Sequence, residues 1–314
     1  MQEVVIGTRS SRLALIQADM VCSALKTKLH DISFLVKTIK TTGDVITDIP
    51  LEKINDKGIF IKELENALLD GEIDLAVHSM KDMPTELPPG LQIGAVLERE
   101  KPWDVFIGNP QGTKITDLET GAKIGSSSLR RRAQLKHHYP HLDICSIRGN
   151  IETRYRKLKE GQFDGLILAY AGVARMGWLE SVSEVLPGNV CLPAVGQGAI
   201  GVEARIVDRD LLAMISNINC PLTSATVKAE RAFLKKLEGG CQIPVGALGV
   251  IENDLLMLTG LVASLDGSII FRATEKGNLE EADAVGLSLA GKLLQQGCGT
   301  ILEQIKMECI ENEY

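Results

Sequence analysis

The 314-residue chain has few aromatic residues, no Cys-x-x-Cys pair and no long apolar run. Aromatic side chains make up 4% of the sequence, which leaves little for stacking nucleic-acid bases. The seven cysteines are odd in number and scattered, which argues against a zinc site or a disulfide framework and fits a reducing compartment. The longest uncharged stretch, residues 185–202, contains two prolines and four glycines, so it is not a lipid-facing helix.

The first residues lack a basic start followed by an apolar stretch, so we expect no secretion signal and a cytoplasmic, non-membrane protein. Hydrophobic residues at 45% and charged residues at 24% are typical of a globular protein. The length suggests two or three domains.

Positive charge is concentrated in one part of an acidic chain. Residues 121–175 contain eleven basic and four acidic residues, a local charge of +7. Because the net charge is −7, the remainder carries −14. Seven of the eleven basic residues are arginines, whose planar guanidinium pairs with carboxylate or phosphate in bidentate fashion. The cluster favours a polyanionic ligand, although a solvated basic face is equally compatible with the charge count.

Strand-like and helix-like segments alternate over the first two-thirds of the chain, which predicts an α/β fold with parallel sheets and helices on both faces. The final third groups three strand-like runs between helices, which is typical of an α+β domain. The last predicted helix covers residues 280–296. We predict three domains, covering residues 1–98 with 199–217, residues 99–198, and residues 218–314.

In three places a predicted strand ends, small hydroxyl, Gly or Asn residues follow, and a helix begins. Each helix start offers free backbone N–H groups and a positive dipole end, so each is an anion site in principle. At the carboxyl edge of an open sheet these turns lie where ligands bind. Each turn carries arginine, which favours a multiply charged anion over plain helix capping. The turns contain Arg9 and Ser11; Ser128, Arg130 and Arg131; and Arg148 and Arg154.

The segment from His78 to Asp82 follows the predicted strand 73–78 and should also project from a ligand edge. Asp82 among arginines is held ionised, and a fixed anion suits a substrate on which positive charge develops. The residues alone leave open that Asp82 only neutralises Lys81 or an arginine. His78 is expected to be a half-buried, hydrogen-bonded side chain.

Cys241 follows two glycines, which leave its sulfur open to close approach. Such a thiol is a candidate nucleophile or attachment point. The other cysteines occupy apolar or helical settings, where cysteine behaves as a small hydrophobe.

Seven sequence blocks occur in the order found in one enzyme family. They are Thr8-Arg-Ser-Ser-Arg-Leu-Ala-Leu, Lys57-Gly-Ile-Phe-Ile-Lys-Glu-Leu-Glu, Ala76-Val-His-Ser-Met-Lys-Asp-Met-Pro, Gly125-Ser-Ser-Ser-Leu-Arg-Arg, Ile147-Arg-Gly-Asn-Ile-Glu-Thr-Arg, Leu192-Pro-Ala-Val-Gly-Gln-Gly-Ala and Leu237-Glu-Gly-Gly-Cys-Gln-Ile-Pro-Val-Gly. From about Val4 to beyond Leu294 the chain resembles the hydroxymethylbilane synthase, or porphobilinogen deaminase, family.

The resemblance implies a transferase of tetrapyrrole and haem biosynthesis, with two lobes resembling type II periplasmic solute-binding proteins and a small third domain. Such enzymes join four porphobilinogen molecules head to tail, losing ammonia at each step, and release hydroxymethylbilane by hydrolysis. They build the chain on a dipyrromethane cofactor held by a thioether to the cysteine that matches Cys241. The resemblance further implies a monomer without metal, nucleic acid or membrane.

The resemblance also assigns roles to individual residues, with Asp82 as the catalytic carboxylate. The implied cofactor-binding residues are Cys241, Lys81, Asp82, Ser126, Ser128, Arg130, Arg131, Arg148 and Gly149. The implied substrate-binding residues are Arg9, Ser11, Gln17, Phe60, Arg148, Arg154, Arg175 and Gln197. Lys53 and Lys57 fall in a loop that is mobile in the family.

The chain departs from the family pattern in three places. Asn55 and Asp56 stand where two glycines are frequent, which leaves the mobility of that loop open. Arg12 replaces a frequent proline and Ser126 a frequent threonine.

Two other classes of protein share some of these sequence features. A non-catalytic bilobed binding protein for a carboxylate or phosphate requires neither Asp82 nor Cys241, and such proteins are typically exported. A nucleic-acid-binding module uses the arginine cluster, but the surrounding −14 repels phosphate backbones.

Overall fold

The computed structural model describes residues 2–29, 32–45, 58, 60–237 and 243–311. The strands are β1 Gln2–Arg9, β2 Ile32–Ile39, β3 Leu75–Ser79, β4 Leu91–Val96, β5 Asp104–Gly108, β6 Lys123–Gly125, β7 Asp143–Cys145, β8 Gly165–Ala169, β9 Glu184–Val185, β10 Ile200–Arg205, β11 Val245–Glu252, β12 Leu255–Ala263 and β13 Ile270–Asn278. The helices are α1 Arg12–Lys26, α2 Thr42–Val45, α3 Lys62–Leu69, α4 Leu129–His138, α5 Ile151–Lys159, α6 Tyr170–Arg175, α7 Arg209–Ser216, α8 Pro221–Lys236, α9 Ala282–Gln295 and α10 Cys298–Glu311.

The first sheet has the order β2-β1-β3-β10-β4. Strands β1, β2 and β3 pair in parallel, whereas β10 is antiparallel to both β3 and β4. Helices α1 and α7 cover one face, where Val21 and Ile215 join a buried apolar cluster, and α3 covers the other through Leu64 and Leu68. We call this sheet and its helices the first lobe.

The second sheet repeats this plan in the order β7-β6-β8-β5-β9, with β5 antiparallel to β8. Helix α4 packs on one face through Leu135, and α5 and α6 pack on the other through Leu158 and Val173. Strand β8 is buried along its whole length, so its sequence is a continuous apolar run rather than an alternating one. We call this sheet and its helices the second lobe.

The expectation of all-parallel sheets was wrong for one strand in each sheet. The chain crosses between the lobes twice, through residues 97–103 and 186–199, and the first strand after each crossing is β5 or β10. Each of these strands enters its sheet antiparallel to both neighbours. Strand–helix alternation holds only within a lobe, so it could not predict the direction of a strand that arrives from the other lobe.

The third sheet is an antiparallel meander, β11-β12-β13, covered by α8 and α9. Its core contains Phe233 of α8 and Leu289 of α9, both fully buried. The fold is therefore α/β with two sheet-rich lobes and a small third domain of strands and helices. The last helix was predicted to be the one ending near residue 296, but α10 follows it after Gly297, whose φ of 101° permits the turn. The three predicted domain boundaries stay a prediction.

Glu230 of α8 joins the third domain to both crossing segments. Its fully buried carboxylate accepts from Arg99 Nη1 at 2.6 Å and Nη2 at 3.2 Å, and Arg99 lies on the first crossing. It also accepts from the backbone N–H of Gly196, on the second crossing, at 2.7 Å and from that of Gly249, on β11, at 2.8 Å. A buried charge held by this many donors ties three chain segments together.

Candidate active site

Each of the three predicted arginine-bearing turns is a capped helix start. Ser11 Oγ accepts from the N–H of Ala14 at the start of α1, and Ser128 Oγ accepts from that of Arg131 at the start of α4. Asn150 Oδ1 accepts from the N–H of Thr153 at the start of α5, at 2.9 Å. The caps confirm the predicted strand–turn–helix geometry and leave the remaining N–H groups of each first turn for other acceptors.

Lys81 and Asp82 lie on a single turn of 3-10 helix, Met80–Asp82, directly after β3. Met80 is buried and fixes the turn, while the Asp82 side chain is exposed. Burial lowers the pKa of Lys81 to about 8. The negative charge of Asp82 opposes this shift, and the positive charge of Arg131 reinforces it. The turn therefore presents an accessible carboxylate, and its negative charge acts on Lys81 and on Arg154 of the second lobe.

Arg130 and Arg131 are buried and both bind Asp104, the first residue of β5. Arg130 Nη1 donates to Asp104 Oδ2 at 2.7 Å, and Arg131 donates to Oδ1 through Nε at 2.9 Å and Nη2 at 2.7 Å. Burial alone would raise the pKa of Asp104, but the two guanidinium groups hold it well below its usual range. This carboxylate keeps two positive charges fixed inside the lobe.

Neutral donors complete this buried network. The Cys191 thiol donates to Asp104 Oδ2 at 3.2 Å, and burial raises its pKa to about 12. Gln197 Nε2 donates to Asp104 Oδ1 at 2.9 Å and to the carbonyl of Pro102 at 2.6 Å. Gln197, predicted to bind substrate, is 1% exposed and is therefore placed inside this network.

Arg154 lies among other positive charges. Its Nε donates to the carbonyl of Gly149 at 2.8 Å. Burial and the neighbouring Arg131 and Arg148 lower its pKa to about 10, and Asp82 opposes the shift. Gly149 has φ of 109°, and a Cβ there would lie 2.5 Å from the Thr153 side chain, so glycine is required for this turn.

A small cavity of about 20 Å³ lies between α1 and α6. Gln17 Nε2 donates to Ser79 Oγ at 2.8 Å on its wall, and Arg175 Nη2 donates to the carbonyl of Gly198 at 2.7 Å. Arg175 Nε is buried and has no hydrogen-bond partner among the residues that the structure describes. Lys81 also lines the cavity, so Gln17 of α1, Arg175 and Lys81 converge on one place.

The other predicted site residues are partly described. The Arg9 guanidinium stacks over the Phe60 ring, 4.2 Å from its centroid. Ser126 is buried and its Oγ accepts from the N–H of Ser128 at 3.4 Å. Three predicted residues, Cys241, Lys53 and Lys57, lie outside the described residues.

Sequence reasoning did not single out Asp104 or Glu230. Asp104 opens the apolar run Val105-Phe-Ile of a buried strand, and an acidic residue in such a position is a signal for a buried ion pair. Glu230 lies on α8 between Ala229 and Phe233, both fully buried. Recognising these residues requires knowing that their arginine partners are about 30 to 130 positions away.

Among the described residues, no cluster of three or more His, Cys, Asp or Glu side chains is arranged to hold a metal ion. In the same part of the chain no helix has the length and apolar character needed to cross a bilayer.

Fold and site together define a three-domain α/β protein with arginine-bearing helix starts at the edges of two sheets. A family model described as "Porphobilinogen deaminase, dipyromethane cofactor binding domain" matches residues 4–213. A second, "Porphobilinogen deaminase, C-terminal domain", matches residues 224–295. The chain belongs to the porphobilinogen deaminase family.

Curated relatives agree over nearly the whole chain. It is 53% identical over 305 residues to a porphobilinogen deaminase of Desulforudis audaxviator, covering 97% of this chain and 98% of that protein. It is 51% identical over 311 residues to one of Carboxydothermus hydrogenoformans, covering 99% of each. Enzymes of this name are transferases of porphyrin biosynthesis.

Solved structures with a similar arrangement are more distant. A periplasmic VFT2 domain of BvgS from Bordetella pertussis is 13% identical with a TM-score of 0.40, covering 69% of this chain and 86% of that one. A periplasmic binding protein from Salmonella typhimurium with high arginine specificity is 14% identical with a TM-score of 0.39, covering 71% and 94%. Similarity at this level has no bearing on function.

Proposed function

We propose that this chain catalyses the hydroxymethylbilane synthase reaction: four porphobilinogen molecules are joined head to tail with loss of ammonia, and the linear product is released by hydrolysis. The observation that carries the proposal is the position of Asp82, an exposed carboxylate whose negative charge acts on Lys81 and on Arg154. Each substrate brings two carboxylates, and loss of ammonia leaves positive charge on its pyrrole ring. The pocket offers the opposite charge to both.

The residues present fit a dipyrromethane cofactor. Lys81, Arg154 and Arg131 crowd positive charge into a partly buried space, which raises the energy of the site until an anion enters. Two buried guanidinium nitrogens, Arg130 Nε and Arg175 Nε, have no partner among the described residues. Bound dipyrromethane would supply the carbon nucleophile on which the product chain grows. We propose that Cys241 holds it through a thioether.

Each residue has a proposed task in this reaction. Asp82 accepts from the pyrrole N–H and stabilises the positive charge that develops as the C–N bond to ammonia breaks. A preorganised charge of this kind is worth about 100- to 1,000-fold in rate. Lys81 holds cofactor carboxylates, with Ser126, Ser128, Arg130, Arg131, Arg148 and Gly149 shaping that part of the site. The proposed substrate-binding residues are Arg9, Ser11, Gln17, Phe60, Arg148, Arg154 and Arg175. Gln197 is buried and positions Asp104 behind the site instead of contacting substrate.

The cysteine and the aspartate are tested separately. The intact mass of the native protein should exceed the 34.0 kDa polypeptide by two substrate-derived pyrrole rings. Cys241→Ala should remove that excess while Cys145→Ala, at a partly exposed cysteine, keeps it. A native mass equal to the polypeptide alone would refute the covalent cofactor.

Asp82→Asn should keep the added mass and lose about 100- to 1,000-fold in turnover of porphobilinogen. Glu86→Gln is the control, because Glu86 is a nearby exposed carboxylate paired with Lys235 and should turn over normally. Normal turnover in Asp82→Asn would remove Asp82 from its role. We further propose that the protein acts as a cytoplasmic monomer without nucleic-acid or membrane partners, which size-exclusion chromatography and cell fractionation test.

A further inference from the structure

Three ionisable side chains lie buried behind the Asp82 turn, outside the proposed chemistry. His78 of β3 and Glu203 of β10 lie on neighbouring antiparallel strands, with His78 Nε2 3.0 Å from Glu203 Oε2. Their side chains share a face of the sheet, since Glu203 pairs with Ala76 and side chains two residues apart point the same way. Glu65 of α3, 6% exposed, packs over this face.

Two carboxyl oxygens of this cluster are unsatisfied. Glu65 Oε1 and Glu203 Oε1 are buried, and neither has a hydrogen-bond partner among the residues that the structure describes. Two ionised carboxylates in one buried space repel each other, whereas a protonated carboxyl can donate to an ionised one. One proton on Glu65 would therefore satisfy both oxygens.

The charges around Glu65 come from four elements. Burial and the charge of Glu203 on β10 raise the pKa of Glu65 to about 7. His78 on β3 and Lys62 on α3 oppose the shift. From α8, the positive charge of Arg231 interacts with Glu203. Glu65 therefore titrates close to neutral pH.

The cluster is connected to both ends of the Asp82 turn. His78 lies four residues before Asp82, on the strand that leads into the turn. On the far side, Arg231 Nη2 donates to the carbonyl of Pro84 at 2.6 Å and lies 3.3 Å from that of Thr85. The cluster therefore contacts the strand before the turn directly and reaches the segment after it through Arg231, which interacts with Glu203.

We propose that Glu65, Glu203 and His78 form a proton-sharing chain, in which a protonated Glu65 carboxyl donates to Glu203, and that this chain positions α3 and the Asp82 turn against each other. The only species exchanged is a proton with solvent. None of the three touches substrate, so they are positioning residues. When the proton leaves, the two carboxylates repel and the packing of α3 on β3 weakens.

The sign of the pH effect follows from linkage. Folding raises the pKa of Glu65 from 4.5 to about 7, so the folded state binds more protons than the unfolded state between these values. Stability therefore falls as pH rises from about 4.5 and levels off above about 7. The weakening is local to α3 and the strands beneath it.

Hydrogen exchange tests this without any use of activity. Protection factors, corrected for intrinsic exchange, are measured for peptides of α3 and β3 in wild type and in Glu65→Gln. The wild-type value divided by the Glu65→Gln value should fall roughly 70-fold between pH 5 and pH 8. The reason is that the amide introduced by Glu65→Gln donates to Glu203 at every pH. Glu72→Gln, an exposed carboxylate bound to Lys37, is the matched control and should show no such fall. Parallel wild-type and Glu65→Gln profiles would overturn the proposal.

Infrared spectroscopy identifies the protonated group directly. Wild type should show a carboxylic acid C=O band that disappears between pH 6 and pH 8, is absent in Glu65→Gln and is retained in Glu72→Gln. In Glu203→Gln the band should titrate at lower pH, because the repelling charge is gone. A band that persists in Glu65→Gln would refute the assignment.

The effect on turnover rests on the proposed function. Glu65→Gln should keep more of its neutral-pH turnover number at pH 8.5 than wild type does, with the KM for porphobilinogen unchanged. If the protein turns over no porphobilinogen, the exchange and infrared results still decide the proposal about the buried chain, so the two failures are distinguishable.

Discussion

The two arginine-bearing helix starts of the second lobe look alike in sequence but differ in electrostatics. At the start of α4, Arg130 and Arg131 are bound to the buried carboxylate of Asp104. At the start of α5, Arg154 donates to a backbone carbonyl, and its strongest charged neighbours are other arginines. At the first start one buried carboxylate fixes two arginines in the framework and offsets part of their charge, whereas the second start has a charge excess that an incoming anion relieves.

The difference arises from where the acidic residues point. Asp104 comes from β5, which the first crossing segment inserts beside β8, so it meets α4 inside the lobe. The acid on the first turn of α5 is Glu152, whose carboxylate lies 3.4 Å from Arg12 Nη1 of α1, across the lobes. Because Glu152 is the acidic residue of α5 and is paired with Arg12, no carboxylate of this helix neutralises Arg154. Similar motifs can therefore serve as support or as ligand site depending on one distant carboxylate.

Asp104→Asn should have the largest effect, because it leaves two buried guanidinium groups without their anion. Breaking a buried ion pair costs about 3–5 kcal/mol in the free energy of unfolding. The two tryptophans of the sequence are Trp178, which packs in the second lobe, and Trp103, which packs where α4 meets the third domain. Denaturant unfolding followed by tryptophan fluorescence therefore reports the second lobe and its contact with the third domain.

The control for this prediction is Asp143→Asn, at an exposed position on β7, which should change stability by no more than about 0.5 kcal/mol. Equal unfolding midpoints for the two variants would contradict the conclusion that Asp104 supports the framework at the start of α4.

Arg154→Gln should have the next largest effect, on binding instead of stability. Losing one charged hydrogen bond to a substrate carboxylate costs about 1.5–3 kcal/mol, or roughly a 10- to 150-fold rise in the KM for porphobilinogen. The fluorescence-detected unfolding midpoint should not fall, because the removed charge is repelled by Arg131 and Arg148.

Arg156→Gln is the matched control on the same helix, since Arg156 is exposed and lies 3.9 Å from Glu160. It should leave KM unchanged. A destabilised Arg154→Gln protein with normal KM would assign Arg154 to the framework and erase the contrast between α4 and α5.

The smallest effects are expected for the caps. Ser128→Ala and Asn150→Ala each remove one acceptor from a helix start and should cost about 1 kcal/mol in the free energy of unfolding. Thermal unfolding of the two variants measures this, with Ser268→Ala on an exposed turn as a reference that should lie closer to wild type. A loss above about 3 kcal/mol at either cap would mean that its side chain does more than cap.

Much of this architecture follows from local sequence pattern. The helix starts at Ser11, Ser128 and Asn150 were predicted because they depend on residues only a few positions apart, and each start has a side-chain cap. The position of Asp82 at the end of a buried strand also follows from local pattern, since β3 is apolar and ends just before the turn.

Long-range electrostatics did not follow from the sequence. Nothing near Asp104 shows that it faces α4, and nothing near Gln197 shows that it is buried behind the arginines instead of open to substrate. The direction of β5 and β10 depends on which lobe the preceding segment leaves. These features depend on tertiary pairing of residues far apart in the chain.

The carboxylate of Glu230 has a mechanical consequence. Two adjacent crossing segments connect the lobes. Rotation of one lobe about the line through these segments is easier than sliding or twisting, because sliding or twisting distorts both segments. Because Glu230 grips Arg99 on one pass and Gly196 on the other, it lies on that axis, where a swing produces the least displacement. The third domain is therefore attached where the lobes are connected, so a rotation of one lobe relative to the other about these segments would displace it least.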